Sequence, residues 1–293
     1  MSTLKEKIKS LSASYLSEFI EVRRHLHAHP ELSYQEFETS KFVQEKLTSG
    51  QTLVVFSAFG GVTDELLGMA ELATRDSNSY KAQLECLELR HLEAVRELLP
   101  VQQQSQVLSQ VKSELNQLET LYEGVSLLNE LSDRTRHVIS GFGESLSSII
   151  ICAYFRSLGL NVAAVDSREL IVCTNSSEKV KVNYDKTFEN MKTYFSDSSA
   201  DLFVAPGFIS KNEQGVPSTL GRGGSDFTAA LFASALDAKR LEIYTDVDGM
   251  YTANPKVVNH AVPLKHISYE EAMELSHFGA KVLYPPTLKP VLD

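Results

Sequence analysis

Apolar positions along the chain recur in two different periods, and the period changes near residue 53. From residue 3 to about 28, Leu4, Ile8, Leu11, Tyr15, Phe19 and Leu26 return every three or four positions, which predicts an amphipathic helix. His29-Pro30 ends it, because the residue before a proline is pushed out of the helical region. A second stripe through Phe37, Phe42, Val43 and Leu47 predicts another helix, stopped by Thr48-Ser49-Gly50. Leu53-Val54-Val55-Phe56 is then a continuous apolar run, as expected of a strand buried on both faces. Ser57-Ala58-Phe59-Gly60-Gly61 follows, and Val62 opens a helix. Between about Ser79 and Leu131, leucines and valines recur at helical spacing, which predicts two or three helices broken at Pro100. The Gln102-Gln103-Gln104 run reads as a solvated face or a helix start.

A helix over about 135–158 leads to a strand near Val162–Val165, and Leu202–Ala205 forms another strand ending in Pro206-Gly207. Gly221-Arg222-Gly223-Gly224-Ser225-Asp226 opens a helix that is apolar nearly all round, hence buried. Leu241-Glu242-Ile243-Tyr244 reads as a strand, with Thr245–Gly249 turning off its end, and a helix runs from Tyr269 to about His277. Segments 175–181 and 196–200 read as surface loops. Strands alternating with helices predict an α/β fold with a mainly parallel sheet covered on both faces.

Composition narrows the partners. The formal net charge of -10 argues against nucleic acid and against an anionic membrane surface, both of which call for a basic face. The apolar run around Ile149–Ile151 is too short and interrupted to span a bilayer. The three cysteines, Cys86, Cys152 and Cys173, are far apart and odd in number, so reduced thiols in a cytoplasmic setting are the expectation.

Three segments share one design of apolar strand, small-residue loop and helix or turn: Leu53–Gly61, Leu202–Ser225 and Leu241–Tyr251. Ligands in open α/β sheets bind beyond the carboxyl ends of strands, so the three loops are expected to gather at one edge. In Gly221–Asp226, glycines permit close approach and the helix N-terminus offers free N–H groups, while Arg222 adds a planar fork for a carboxylate or phosphate. The bland alternative is a turn capped by Ser225 or Asp226. Ser57–Thr63 fits a tight turn as well as a binding loop and matches no P-loop. Thr245-Asp246-Val247-Asp248-Gly249 suits a metal-bound polyphosphate or simply a solvated acidic turn. Glu144 stands in Gly141-Phe142-Gly143-Glu144, where helical glycines point to close packing or a ligand; alone it would read as a surface acid. Lys281 alone would be a solvated lysine. His25, His27 and His29 alternate as strand metal ligands do, but in a helical context they read as surface groups.

Taken together, Val54–Asp64, Pro206–Ser210, Thr219–Ala229, Tyr244–Lys256 and Phe278–Pro285 resemble aspartate kinases, in that family's order. Arg90-His91-Leu92 and Ser57–Asp64 look most like the kinase half of bifunctional aspartokinase–homoserine dehydrogenases. The resemblance runs from about 51 to 293. It implies a three-layer αβα sandwich of the amino-acid-kinase (carbamate-kinase-like) type over 50–293. It also implies transfer of the ATP γ-phosphoryl group, with Mg2+, to the side-chain carboxylate of L-aspartate, in the branch of biosynthesis leading to lysine, threonine and methionine. By motif, Arg222 would hold the substrate α-carboxylate and Glu144 its ammonium group. Ser57, Thr63 and Ser225 would shape the pocket, and Asp226 would organise the centre. Thr245, Asp246, Tyr251 and Lys256 would contact the nucleotide, and Lys281 and Val282 would lie near the phosphates. Homodimerisation is a further expectation.

The sequence departs from that pattern in three ways. It contains no Lys-Phe-Gly-Gly-Thr-Ser strand, whose lysine and glycines hold phosphates in the family. Residues 1–49, through Arg23–Ser33 and Gln35-Glu36-Phe37, instead resemble the start of zinc-dependent N-acyl-amino-acid amidohydrolases. The chain also stops short of the family's domain end. The resulting expectations are a fused fragment with impaired turnover or, in the alternative, a non-catalytic aspartate- or nucleotide-binding remnant. Amidohydrolase activity ranks behind both, because that family's metal ligands lie further along its chain.

Overall fold

The structure, a computed structural model, describes residues 51–76, 78–174, 180–245, 249–254, 257–277 and 285–292. The chain divides into two compact units, Met1–Thr52 and Leu53–Asp293. The helices expected before residue 50, with their three histidines, lie outside the described residues.

Strand β1 (Thr52–Phe56), which from Leu53 onward opens the second unit, leads through a glycine loop into helix α1 (Val62–Ala73). Helices α2 (Lys81–Leu98) and α3 (Val101–Leu128) follow. They are separated at Pro100, which lacks the N–H needed to continue a helix and instead starts the next one. The glutamines 102–104 lie in the first turn of α3. Val107, Val111, Leu115, Leu118, Tyr122 and Val125 form a buried stripe along α3, so it packs along one side and leaves its glutamines, apart from half-buried Gln104, to solvent. The helix expected over 135–158 is two helices, α4 (Asp133–Ser140) and α5 (Phe142–Ser157), divided at Gly141. Asp133–Ser157 is the one described stretch whose length and composition would suit a membrane span. Its Ile139, Leu146 and Ile150 are wholly buried in a core shared with α1, α2 and α3.

Strand β2 (Val162–Ala164), the short helix α6 (Ser167–Leu170), strands β3 (Val172–Thr174) and β4 (Lys181–Val182) and helix α7 (Tyr184–Ser196) come next. Strands β5 (Leu202–Pro206), β6 (Ile209–Asn212) and β7 (Pro217–Thr219) precede helix α8 (Gly224–Ala235), and α9 (Tyr269–His277) and α10 (Pro285–Leu292) close the described chain.

Strands β1, β5 and β2 form one sheet in that order, with β2 parallel to β5. The Gly207 N–H donates to the Phe56 carbonyl at 2.8 Å, so the carboxyl ends of β1 and β5 meet at one edge. On β5, Phe203 and Ala205 face α7 and α8, packing against Phe195, Phe227 and Phe232. Alternation along the strand turns Val204 the other way, toward α5. The sheet is thus a middle layer between helices.

A second sheet runs β4-β3-β6-β7 and is mixed: β3 is parallel to β6, while β3/β4 and β6/β7 are antiparallel. The expected mainly parallel arrangement therefore describes the first sheet and not the second. The expected strand over Leu241–Tyr244 forms no ladder among the described residues. Its Glu242 instead pairs with Arg240 at 2.6 Å and accepts from the Tyr244 hydroxyl at 2.6 Å, and Tyr244 is 71% exposed. An ionised residue interrupts the apolar run, and no strand among the described residues pairs with its N–H and C=O groups.

Candidate active site

Helices α1 and α8 point their N-termini into one cleft of about 410 Å³. Both begin with a glycine in the left-handed region, Gly61 at φ 84° and Gly223 at φ 67°, and neither has a side-chain cap. A helix leaves its first N–H groups without intrahelical acceptors. Here Val62 N–H is satisfied by Phe59 and Gly224 N–H by Gly221, both at 3.0 Å. The N–H groups of Thr63, Asp64, Ser225 and Asp226 have no acceptor among the described residues. Two sets of free donors, each backed by a helix dipole, make the cleft attractive to anions.

A third helix brings in the opposite charge. Glu144, in the first turn of α5, is 4% exposed and lines the same cleft. Its Oε1 accepts from the Ala58 N–H at 3.4 Å, while Oε2 is enclosed without a partner among the described residues. Burial pushes its pKa up to about 7, only partly offset by backbone N–H donors. A buried carboxylate with an unfilled oxygen calls for a cationic donor. The Ser147 hydroxyl bonds to the Ser57 carbonyl at 2.8 Å and ties α5 to the loop after β1. The glycine preceding Glu144 allows this approach: a Cβ on Gly143 would lie 2.7 Å from the Ala58 Cβ.

The far wall is the turn after β5. Phe208 has φ 66°, and the Ile209 N–H reaches back to the Gly207 carbonyl at 2.7 Å, closing a positive-φ γ-turn. Such backbone is costly for a bulky residue and persists only where its surroundings fix it. Here the Thr228 hydroxyl accepts from the Phe208 N–H at 3.0 Å, and the Leu220 N–H donates to the Phe208 carbonyl at 2.7 Å. His137 Nδ1 meets the Thr219 hydroxyl at 2.8 Å, steadying β7 where it enters the Gly221 loop.

Of the residues singled out in the sequence, Ser57, Thr63, Glu144, Ser225 and Asp226 line this one cleft. Arg222 is exposed, lies between lining residues Gly221 and Gly223, and makes no hydrogen bond or ion pair among the described residues. Of the three loops expected to gather, two line the cleft; of the third, Thr245 is exposed and Tyr251 half-buried with a bridge to Pro263, and 246–248 lie outside the described residues. Asp246, Lys256, Lys281 and Val282 lie outside the described residues. Phe59, Asp64 and Phe208 line the cleft without having been singled out, although each stands inside a segment that had been. Asp226 is half-buried, its carboxyl is raised above the usual range by desolvation, and it has no partner among the described residues. No group of three or more metal-ligating side chains occurs among the described residues. The cleft thus combines backbone donors for anions with a buried acceptor for a cation, which suits a small zwitterionic acid.

Comparison with known proteins gives a consistent picture. The profile of the Amino acid kinase family matches residues 38–293, reaching ahead of the boundary drawn at residue 50. The bifunctional aspartokinase/homoserine dehydrogenase 1, chloroplastic, of Arabidopsis thaliana is 34% identical over 245 residues, covering 83% of this chain and 27% of that protein. Aspartokinase 1, chloroplastic, of the same plant is 32% identical over 248 residues, covering 82% and 42% respectively. The chain therefore spans less than half the length of these relatives. Among solved structures, E. coli aspartokinase III in complex with aspartate and ADP superposes with a TM-score of 0.77 at 28% identity, over 86% of this chain and 55% of that one.

Proposed function

Because the chain belongs to the amino acid kinase family, we propose that its cleft binds L-aspartate and directs the γ-phosphoryl group of ATP onto the side-chain carboxylate, giving 4-phospho-L-aspartate and ADP. The observation that carries this reading is Glu144: a buried carboxylate with one unpartnered oxygen, facing uncapped helix N-termini across a small cleft. That arrangement fits an ammonium group at one end of the ligand and carboxylates at the other.

The acceptor carboxylate is already ionised at neutral pH, so no general base is required. One of its oxygens attacks the γ-phosphorus in line, the bond from phosphorus to the bridging oxygen breaks, and ADP leaves with that electron pair. The obstacle is repulsion between anions, so the protein's work is positioning and charge stabilisation. Glu144 holds the ammonium group and Arg222 the α-carboxylate, with Ser57, Thr63 and Ser225 shaping the pocket. Thr245, Asp246, Tyr251 and Lys256 serve the nucleotide, with Lys281 and Val282 near the phosphates. Asp226 organises the centre, and Mg2+ bound with ATP would neutralise charge on its phosphates. The assignment of lysine, threonine and methionine biosynthesis, a cytoplasmic setting and a homodimer belong to the same proposal. The buried free thiols Cys152 and Cys173 support a reducing compartment.

A second reading, aspartate binding without turnover, follows from the sequence, which contains no Lys-Phe-Gly-Gly-Thr-Ser phosphate strand. Calorimetry with L-aspartate and Mg-ATP, alongside a coupled assay for ADP, separates the two. Aspartate-dependent ADP release supports the kinase. Binding without release supports the second reading, and no binding of either ligand overturns both.

A further inference from the structure

The loop between β1 and α1 feeds the first turn of α1, which carries the anion-binding N–H groups of Thr63 and Asp64. Gly60 and Gly61 have no side chains, and α1 starts without a side-chain cap. Besides the contacts from α5, a further restraint comes from α2. Arg90 Nη2 donates to the Gly60 carbonyl at 2.9 Å, its Nη1 lies 3.7 Å from Glu65 on α1, and its guanidinium carbon sits 6.0 Å from the centre of the Phe59 ring. The neighbouring His91 is wholly buried and stacks on the same ring, 4.9 Å between centres and 6° from parallel. His91 is itself oriented by Nδ1 against the Leu87 carbonyl at 2.8 Å. Burial lowers its pKa, so it packs as a neutral ring. Arg90 therefore grips the loop at a carbonyl, a ring and the first turn of the helix it feeds.

Resting on the reading of the cleft given above, we propose that Arg90 is a positioning residue for the acidic substrate. By drawing the Gly60 carbonyl outward, it aims the Thr63 and Asp64 N–H groups into the cleft and keeps the Ala58 N–H on Glu144. It touches no substrate itself. A planar guanidinium can serve carbonyl, ring and carboxylate at once, which an ammonium cannot. His91 completes the clamp by fixing Phe59 from within the core.

The test compares Arg90→Met, which keeps the aliphatic stem, with Arg90→Lys and Arg90→Ala. In Arg90→Met, amides of residues 57–65 are expected to exchange with deuterium about tenfold faster while peptides of α3 and α8 are unchanged. KM for L-aspartate is expected to rise about tenfold or more, with KM for ATP within about twofold and Tm within about 3 °C. Arg90→Lys falls between, and added guanidinium restores part of the aspartate affinity of Arg90→Ala. Unchanged exchange at 57–65, or a parallel loss of both KM values and Tm, overturns the proposal. If the unaltered protein neither binds nor phosphorylates L-aspartate, the kinase reading fails on its own account, and the exchange experiment still decides whether Arg90 holds the loop.

Discussion

Glu144 Oε1 and the Ala58 N–H, 86 residues apart in sequence, meet at 3.4 Å, joining the first turn of α5 to the loop after β1. The contact is long for a hydrogen bond and the other carboxylate oxygen has no partner, so the group is held in place more by enclosure than by bonding. Glu144→Gln removes the charge at nearly constant shape. It is expected to weaken L-aspartate binding by about 2 kcal/mol, roughly thirtyfold, because a charge-assisted bond is lost. Calorimetry on both proteins checks this, and unaltered affinity would remove Glu144 from the site.

The same group sets a pH dependence. Burial holds its folded pKa at about 7, above the 4.5 of an ordinary glutamate. A carboxyl raised in this way favours the fold while protonated, and that contribution is lost as pH climbs from about 4.5 through 7. The loss is at most roughly 3 kcal/mol at pH 8. Glu144→Gln, which cannot ionise, should therefore melt at a higher temperature than the unaltered protein at pH 8 and show little advantage at pH 5.

Ligand binding should show the opposite trend. An ammonium ion prefers the ionised carboxylate, so L-aspartate affinity is expected to rise about tenfold between pH 6 and 8, with proton release near pH 6.5. Titrations in buffers of different ionisation enthalpy measure that release directly. Proton uptake in its place would assign the dependence to another group.

Gly143→Ala is expected to destabilise the fold although alanine favours helix. The added Cβ would stand 2.7 Å from the Ala58 Cβ and 3.2 Å from Val62 Cγ1, and neither belongs to a flexible side chain. Overpacking of this kind costs about 1–3 kcal/mol, against roughly 1 kcal/mol of helix propensity gained. A fall in Tm accompanied by weaker aspartate binding is the expected result, since relief of the clash moves the Ala58 loop. A rise in Tm would show that the two segments part freely.

Arg222 is exposed and makes no bond among the described residues, so its substitution should leave stability within about 0.5 kcal/mol. Arg222→Gln is expected to raise KM for L-aspartate about tenfold or more through the lost carboxylate fork, and Arg222→Lys to recover only part. Steady-state kinetics with parallel melting curves separates this from a folding defect.

The half of the site built on chain-local features was legible in the sequence. An apolar run followed by Gly60-Gly61, and Gly221–Asp226 ahead of an apolar helix, announce strand–loop–helix units that need no distant partner to be recognised. The glycines around Glu144 pointed to close packing or a ligand, and a Cβ on Gly143 would indeed crowd Ala58; the role of Glu144 itself came from the resemblance to aspartate kinases. The segments that depend on partners were harder to read. Strands β6 and β7 carry buried Ser210, Asn212, Ser218 and Thr219, polar residues that resemble a loop until their mutual pairing is seen. Phe208 takes its role from a backbone angle that no composition reveals. Helix α7 did leave a trace, with Tyr184, Phe188, Met191 and Phe195 at helical spacing. Leu241–Tyr244 shows the converse, an apolar-looking run that forms no ladder among the described residues.

The left-handed glycines at the heads of α1 and α8 bear on how this protein could be engineered. Serine, asparagine or aspartate commonly begins a helix and is worth about 1 kcal/mol there. A screen for heat resistance would be drawn to Gly61 and Gly223, and asparagine, which tolerates that backbone, would be its natural first gain. The new side chain would occupy the N–H groups that otherwise face the cleft. Selection for ruggedness and selection for ligand recognition therefore pull these two positions in opposite directions.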